Sequence, residues 1–115
     1  MNDPTALPDP ASLLEEVLSP LLVDFGESFE RGLLLVEHTP DRVMAPERRQ
    51  TFRRRLEQAR GELQAARALR AATPAPMVLE MATIAPWHEL LVEVWSLSAA
   101  LRAAGCHPDQ GTGAP

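Results

Sequence analysis

The chain has 115 residues, 45% of them hydrophobic and 23% charged, with a formal net charge of −5. That length supports one small domain and leaves no room for two independent cores. It holds 17 Leu and 17 Ala but one Ile, no Tyr and no Lys. Leu and Ala are strong helix formers, whereas strands draw on β-branched and aromatic residues, so the composition predicts an all-α fold. No apolar run approaches the ~18 residues that crossing a bilayer needs. Residues 1–9 lack the basic start of a secretion signal, and the single cysteine, Cys106, excludes an internal disulfide framework and a cysteine-based zinc finger.

Residues 1–9 read as a flexible lead-in, 10–104 as one helical-bundle domain and 105–115 as a disordered tail, rich in Pro and Gly. Asp9 followed by Pro10 makes an N-cap with proline at the first helical position, where its missing N–H does no harm. From there Leu14, Leu18, Leu21, Phe25, Ser28, Gly32 and Leu35 recur in steps of three and four, and Leu22, Phe29 and Val36 widen the stripe into a core-facing band. The small Ser28 and Gly32 would let a neighbouring backbone approach closely. Pro20 interrupts this pattern. Inside a helix it removes one hydrogen bond and crowds the preceding turn, a penalty of about 3 kcal/mol. Either the helix kinks there, or it splits and Ser19 caps a new start. The Ser-Pro pair favours a break or sharp kink.

Thr39-Pro40-Asp41 is a stop and turn. A second helix is predicted from Pro46 to about Ala72, with a seam of Phe52, Leu56, Ala59, Leu63, Ala66 and Arg70 at alternating steps of four and three. Residues 73–85 carry Pro74 and Pro76, then Met77, Val78, Leu79, Met81 and Ile84, an apolar linker expected to strap across the bundle or cover one end of its core. The third helix is expected from Pro86, or one residue earlier, to about Ala104. Trp87, Leu91, Val94, Ser98 and Leu101 share one face, with Leu90, Trp95 and Leu97 beside them, and Gly105 stands where a C-cap belongs. The predicted architecture is a small antiparallel bundle of three long helices, the first kinked or split at Pro20.

Charge divides along the chain. Residues 1–41 hold nine acids and one Arg, 42–72 nine Arg and three Glu, and 73–115 four acids and one Arg. The second helix is a basic rod between acidic neighbours. Two uses are open. Antiparallel pairing would set Glu27, Glu30 and Glu37 of the first helix against its arginines, each exposed pair contributing at most about 1 kcal/mol. Alternatively Arg48, Arg49, Arg53, Arg54 and Arg55, on more than one side of the helix, form a docking face for an anionic partner. The overall acidity, and the lack of aromatics interleaved with the arginines beyond Phe52, argue against nucleic acid.

Spacings that carry chemistry are missing. His88, Glu89 and Glu93 do not make the His-Glu-x-x-His pattern that puts two imidazoles on one helix face, and Glu-x-x-His does not occur. Cys106-His107 is an adjacent pair on an expected tail, a poor start for a closed zinc site or an activated thiol. The serines show no nucleophile-elbow motif and the glycines do not cluster into a phosphate loop. No enzymatic activity, metal or cofactor is expected. Asp24, at the edge of the apolar band and one heptad before Arg31, either accepts a hydrogen bond from a Trp or Arg or sits in water. Trp87 and His88 are either a core staple with its neighbour or an exposed binding hot spot.

The series Leu13 to Arg31 with Ser19-Pro20 and Asp24-Phe25, then Gln58 to Ala66, Ala72-Thr73, and Pro86-Trp87-His88 through Glu93 to Trp95, resembles a family of small cyanobacterial proteins, a domain of unknown function. The resemblance spans about residues 11–104, and the Pro-Trp-His stretch is its most specific part. It implies a cyanobacterial, cytoplasmic protein, with a link to the photosynthetic apparatus, and it carries no catalytic residue onto this chain.

The expected function is a non-enzymatic interaction module: an adaptor, assembly factor or small subunit docking on a larger protein or complex, with self-association as a homodimer also open. Arg48, Arg49, Arg53, Arg54, Arg55, Trp87, His88, Asp24 and Arg31 are the candidate contact residues. The alternative is a ligand- or metal-binding regulatory sensor using His88, Glu89, Glu93 and His38.

Overall fold

In a computed structural model, which describes residues 10–72 and 81–111, the first apolar stripe forms one helix, α1 (Pro10–Glu37), running unbroken through Pro20. Of the two ways of accommodating that proline, the chain does not split. Leu18 and Leu22 flank it and are buried, so packing on both sides offsets the lost hydrogen bond. Asp9, and the linker residues 73–80, lie outside the described residues. The helix ends where Thr39, buried, turns its hydroxyl back to donate to the Leu35 carbonyl at 2.7 Å. Val43 N–H and Met44 N–H both donate to the Pro40 carbonyl, which closes the turn.

Helix α2 (Pro46–Ala72) starts and stops where its sequence predicts, and Phe52, Leu56, Ala59 and Leu63 of its seam are buried. Helix α3 (Met81–Ala103) starts five residues before Pro86, so residues 81–85 belong to a helix and not to a linker. Pro86 is the sixth residue of this helix, so it does forfeit the bond its N–H would make to the Ala82 carbonyl, and the packing of Ile84 on the core and the burial of Trp87 offset that loss. Phe25 meets Trp87 and Gly32 meets Val94, so α3 runs parallel to α1. Glu30 meets Arg60 and Glu37 meets Arg53, so α2 runs antiparallel to α1. The result is an up-down-up bundle, and no strand occurs among the described residues. Helix α1 is the middle element: it packs along α2 and α3, which touch each other far less.

The core is continuous across all three helices, from Leu22, Phe25 and Phe29 to Leu56 and Leu63 to Trp87 and Leu101. Each such side chain contributes about 1.5–3 kcal/mol when fully buried. Trp87 sits edge-on to Phe25 at 5.8 Å between ring centres, a geometry that adds about 0.5–1.5 kcal/mol. Gly32 is the most crowded glycine among the described residues. A Cβ there would come within 2.7 Å of Val94 Cγ2 and 3.1 Å of both Leu56 methyls. The expected close approach is therefore made, but by side chains of two other helices rather than by a backbone.

Residues 105–111, expected as part of a disordered tail, are ordered in the structure. Gly105 takes φ of 72°, its N–H donates to the Arg102 carbonyl, and the Cys106 N–H donates to the Leu101 carbonyl. These two bonds are the Schellman cap that a glycine at this position favours. The cap reverses the chain, so His107 is fully buried and the single turn α4 (Pro108–Gly111) lies back toward α1. A Pro/Gly-rich composition did not prevent order because the cap and one buried ring supply it.

Gly32 and Gly61 make a matched test. Gly61 is exposed in mid-helix, and nothing lies within 4 Å of the place a Cβ would take. Gly61→Ala should stabilise by about 0.5–1 kcal/mol, raising Tm by about 2–5 °C. Gly32→Ala gains the same propensity but must displace stiff Val94 and buried Leu56, so it should lose about 1–2 kcal/mol net and lower Tm by about 5 °C or more. Thermal unfolding by circular dichroism reads both.

Candidate interaction surfaces

The arginines of α2 divide by helix geometry. Arg53 and Arg60 turn toward α1, where they meet Glu37 at 3.6 Å and Glu30 at 3.3 Å, and Arg49 meets Asp41 of the following turn at 2.9 Å. Arg49 also donates to the Thr39 carbonyl, and Arg53 reaches Glu57 one turn on. Arg55 turns toward α3 and clamps both oxygens of Glu93, at 2.9 and 2.6 Å. The hydrogen bonds to Glu93 raise the Arg55 pKa further above its ordinary value, against the opposing effect of partial burial. Most of the basic rod is therefore engaged inside the molecule. Arg54 faces outward and donates to the Thr51 hydroxyl at 3.4 Å. Arg48 is exposed and meets no carboxylate among the described residues.

The remaining candidates separate as well. Trp87 is 2% exposed and belongs to the core, so it leaves the set of contact residues: its ring is the wedge between α1 and α3. His88 beside it is exposed, as a neighbour about 100° around the helix should be. Asp24 is exposed and stands in water at the edge of the band rather than against an indole. Arg31 is half-buried and pairs with Asp109 of α4, an intramolecular use that its position in the sequence did not suggest.

Two residues that matter were placed elsewhere by sequence reasoning. Trp95, set beside the core band, is 60% exposed. It lies on an outward stripe of α3 with His88, Val92, Ala99 and Arg102, all exposed. Their alternating steps of four and three were a readable signal, hidden because the same helix carries a stronger inward stripe. His107, set in a loose tail, is held by two hydrogen bonds. The Asp109 backbone N–H donates to Nδ1 at 3.1 Å, which places the ring proton on Nε2, and Nε2 lies 2.9 Å from Ser98 Oγ. Burial lowers the His107 pKa below its ordinary 6.5, Arg102 and Arg31 push the same way, and Asp109 opposes them. Ser98, a polar residue on the inward stripe of α3, was the visible hint that something polar would meet it.

Among the described residues no three of His, Cys, Asp and Glu come together as a metal would require. The set named for a sensor is scattered: both oxygens of Glu93 are taken by Arg55, and His38 sits one turn from its own Leu34 carbonyl. No helix is long and apolar enough to cross a membrane among the described residues.

What the fold defines is a class, the small three-helix bundle with a folded-back C-terminal turn. Residues 8–103 match the family model described as a protein of unknown function, DUF2605, and the chain belongs to that family. No curated protein and no solved structure matches the chain.

The His107 site predicts a pH dependence. The folded state holds the ring neutral, and the unfolded chain takes up its proton near pH 6.5. The stabilising contribution is therefore complete above that pH and is lost as pH falls through it toward the lower folded value. Wild type should lose thermal stability as pH falls through 6.5, whereas His107→Gln, less stable at neutral pH, should lack that slope. Parallel pH profiles for the two proteins would refute it.

Proposed function

We propose that the protein is a non-enzymatic interaction module, an adaptor, assembly factor or small subunit that docks on a larger protein. The observation that carries this reading is Trp95, 60% exposed, with Val92 beside it on the same outward stripe of α3. A solvated indole gains nothing for the fold, yet as an anchor in a partner's pocket it supplies a large desolvated contact, and Trp is enriched among such anchors. Arg102 and His88 flank it and can orient an approaching partner. Of the arginine face, Arg48 and Arg54 are the members left for a partner, while Arg49, Arg53 and Arg55 hold the bundle together. The setting we propose is the cytoplasm of a cyanobacterium, as the Pro86–Trp95 resemblance implies, with a component of the photosynthetic apparatus as a candidate partner.

A native pull-down of tagged protein from its own host, with the mass of the eluted complex measured, tests the reading. Wild type should retain a stoichiometric partner. Trp95→Ala should lose it while Tm stays within what a surface change of about 0.5 kcal/mol produces. Undiminished capture by Trp95→Ala, or a clean monomer from wild type, would overturn the proposal.

A further inference from the structure

The turn at residues 40–45, the first turns of α2 and the last turns of α3 line a half-open cavity of about 270 Å³. Phe52 and Leu97, both buried, form its floor, with Val43 and Met44 of the turn at its side. Arg48, Thr51 and Ser96 stand at its edge. We propose that this cavity binds a small amphipathic carboxylate, its apolar body on Phe52 and Leu97 and its carboxylate on the Arg48 guanidinium.

Three features favour that chemistry. The first is unfilled apolar space. Helices α2 and α3 each lean on α1 more than on one another, and the wedge between them at this end is not filled by their own side chains. It has room for about nine waters at ~30 Å³ each, the bulk of a molecule like octanoate, and Met44 supplies a flexible thioether wall that can adapt to the occupant.

The second is charge. The Arg55–Glu93 pair lines one side of the cavity as a closed, neutral clamp, so Glu93 neither engages Arg48 nor presents a bare charge to an incoming anion. Arg48 is left exposed without a carboxylate partner among the described residues, and its neighbour Glu47 lies outside the lining. The third is geometry. One guanidinium matches the two oxygens of one carboxylate in a parallel pair of hydrogen bonds, and the hydroxyl of Ser96 can donate beside it, whereas Thr51 spends its own on the Glu47 carbonyl. This site lies between α2 and α3, apart from Trp95, so it shares Arg48 with the docking reading but not the indole that carries that reading.

Titration of the full chain with octanoate, followed through the Val43 and Met44 methyl resonances, tests it. Octanoate should shift these signals saturably, and 1-octanol, of similar bulk but without the charge, should bind about tenfold more weakly or worse. Arg48→Ala should weaken octanoate by about tenfold, whereas Arg54→Ala, which faces outward, should leave it unchanged. Ala100→Leu, which adds bulk from a lining position on α3, should block it. Circular dichroism confirms that each variant keeps its helices. No saturable shift up to millimolar octanoate, equal binding by Arg48→Ala and wild type, or octanol binding as tightly as octanoate would each overturn the proposal.

Discussion

The missing side chain of Gly32 is the constraint on which the bundle depends. At that level Val94 of α3 and Leu56 of α2 both reach into the space a Cβ would need, one at 2.7 Å and the other at 3.1 Å. Helix α1 can therefore sit between its two neighbours and touch both. The bundle is a central helix with a partner on each flank, rather than three equivalent helices around a shared axis. That arrangement leaves α2 and α3 only loosely in contact, and it is the origin of the wedge between them. A glycine inside a helix costs up to about 1 kcal/mol of propensity relative to Ala, and here two close side-chain contacts offset the loss.

Electrostatics then chooses the direction of α2. Two ion pairs, Glu30–Arg60 and Glu37–Arg53, step in opposite directions along α1 and α2, and Arg49–Asp41 continues the series into the turn. The α1 and α2 pairs are exposed enough that each contributes no more than about 1 kcal/mol. Their value lies in discrimination: sliding α2 by one turn would set Glu30 opposite Leu56 in one direction and Glu37 opposite Glu57 in the other. The Arg55–Glu93 clamp does the same between α2 and α3, where apolar contact is sparse. A helix that looks in sequence like a docking surface is thus chiefly the electrostatic spine of the domain.

How much of this was legible in the sequence follows from the range of each interaction. The helix identities and most of their ends came from periodicity and from Pro46 and Gly105, because caps and apolar stripes are set by residues a few positions apart. Pro86 misled, and at Pro20 the helix does not split, for the same reason: local rules count only the lost hydrogen bond, whereas Leu22 and Ile84 offset it by packing into the shared core. Trp87 and Trp95 lie eight residues apart in one helix, and only the placement of α1 decides that the first is core and the second is surface. His107 was the hardest. Its burial needs a cap at Gly105, a Ser98 hydroxyl waiting on α3, and Arg31 holding Asp109, three partners from three places in the chain.

The same geometry assigns different work to the flanks of α3. With about 100° per residue, Glu93 and Trp95 point roughly opposite ways, one to α2 and one to solvent. Between them the inward stripe holds the core, so the helix cannot roll to bury Trp95 without exposing Val94 and Leu97. Nor can it slide easily along its axis, because Val94 is lodged at Gly32 and the C-terminal turn is tied back through His107 and Asp109. On a helix so fixed the backbone that carries Trp95 is already in place before any partner arrives. Preorganisation of that kind reduces the entropy lost on association. The fixed position of α3, more than the chemistry of any one residue, is what supports the docking role proposed for its outer face.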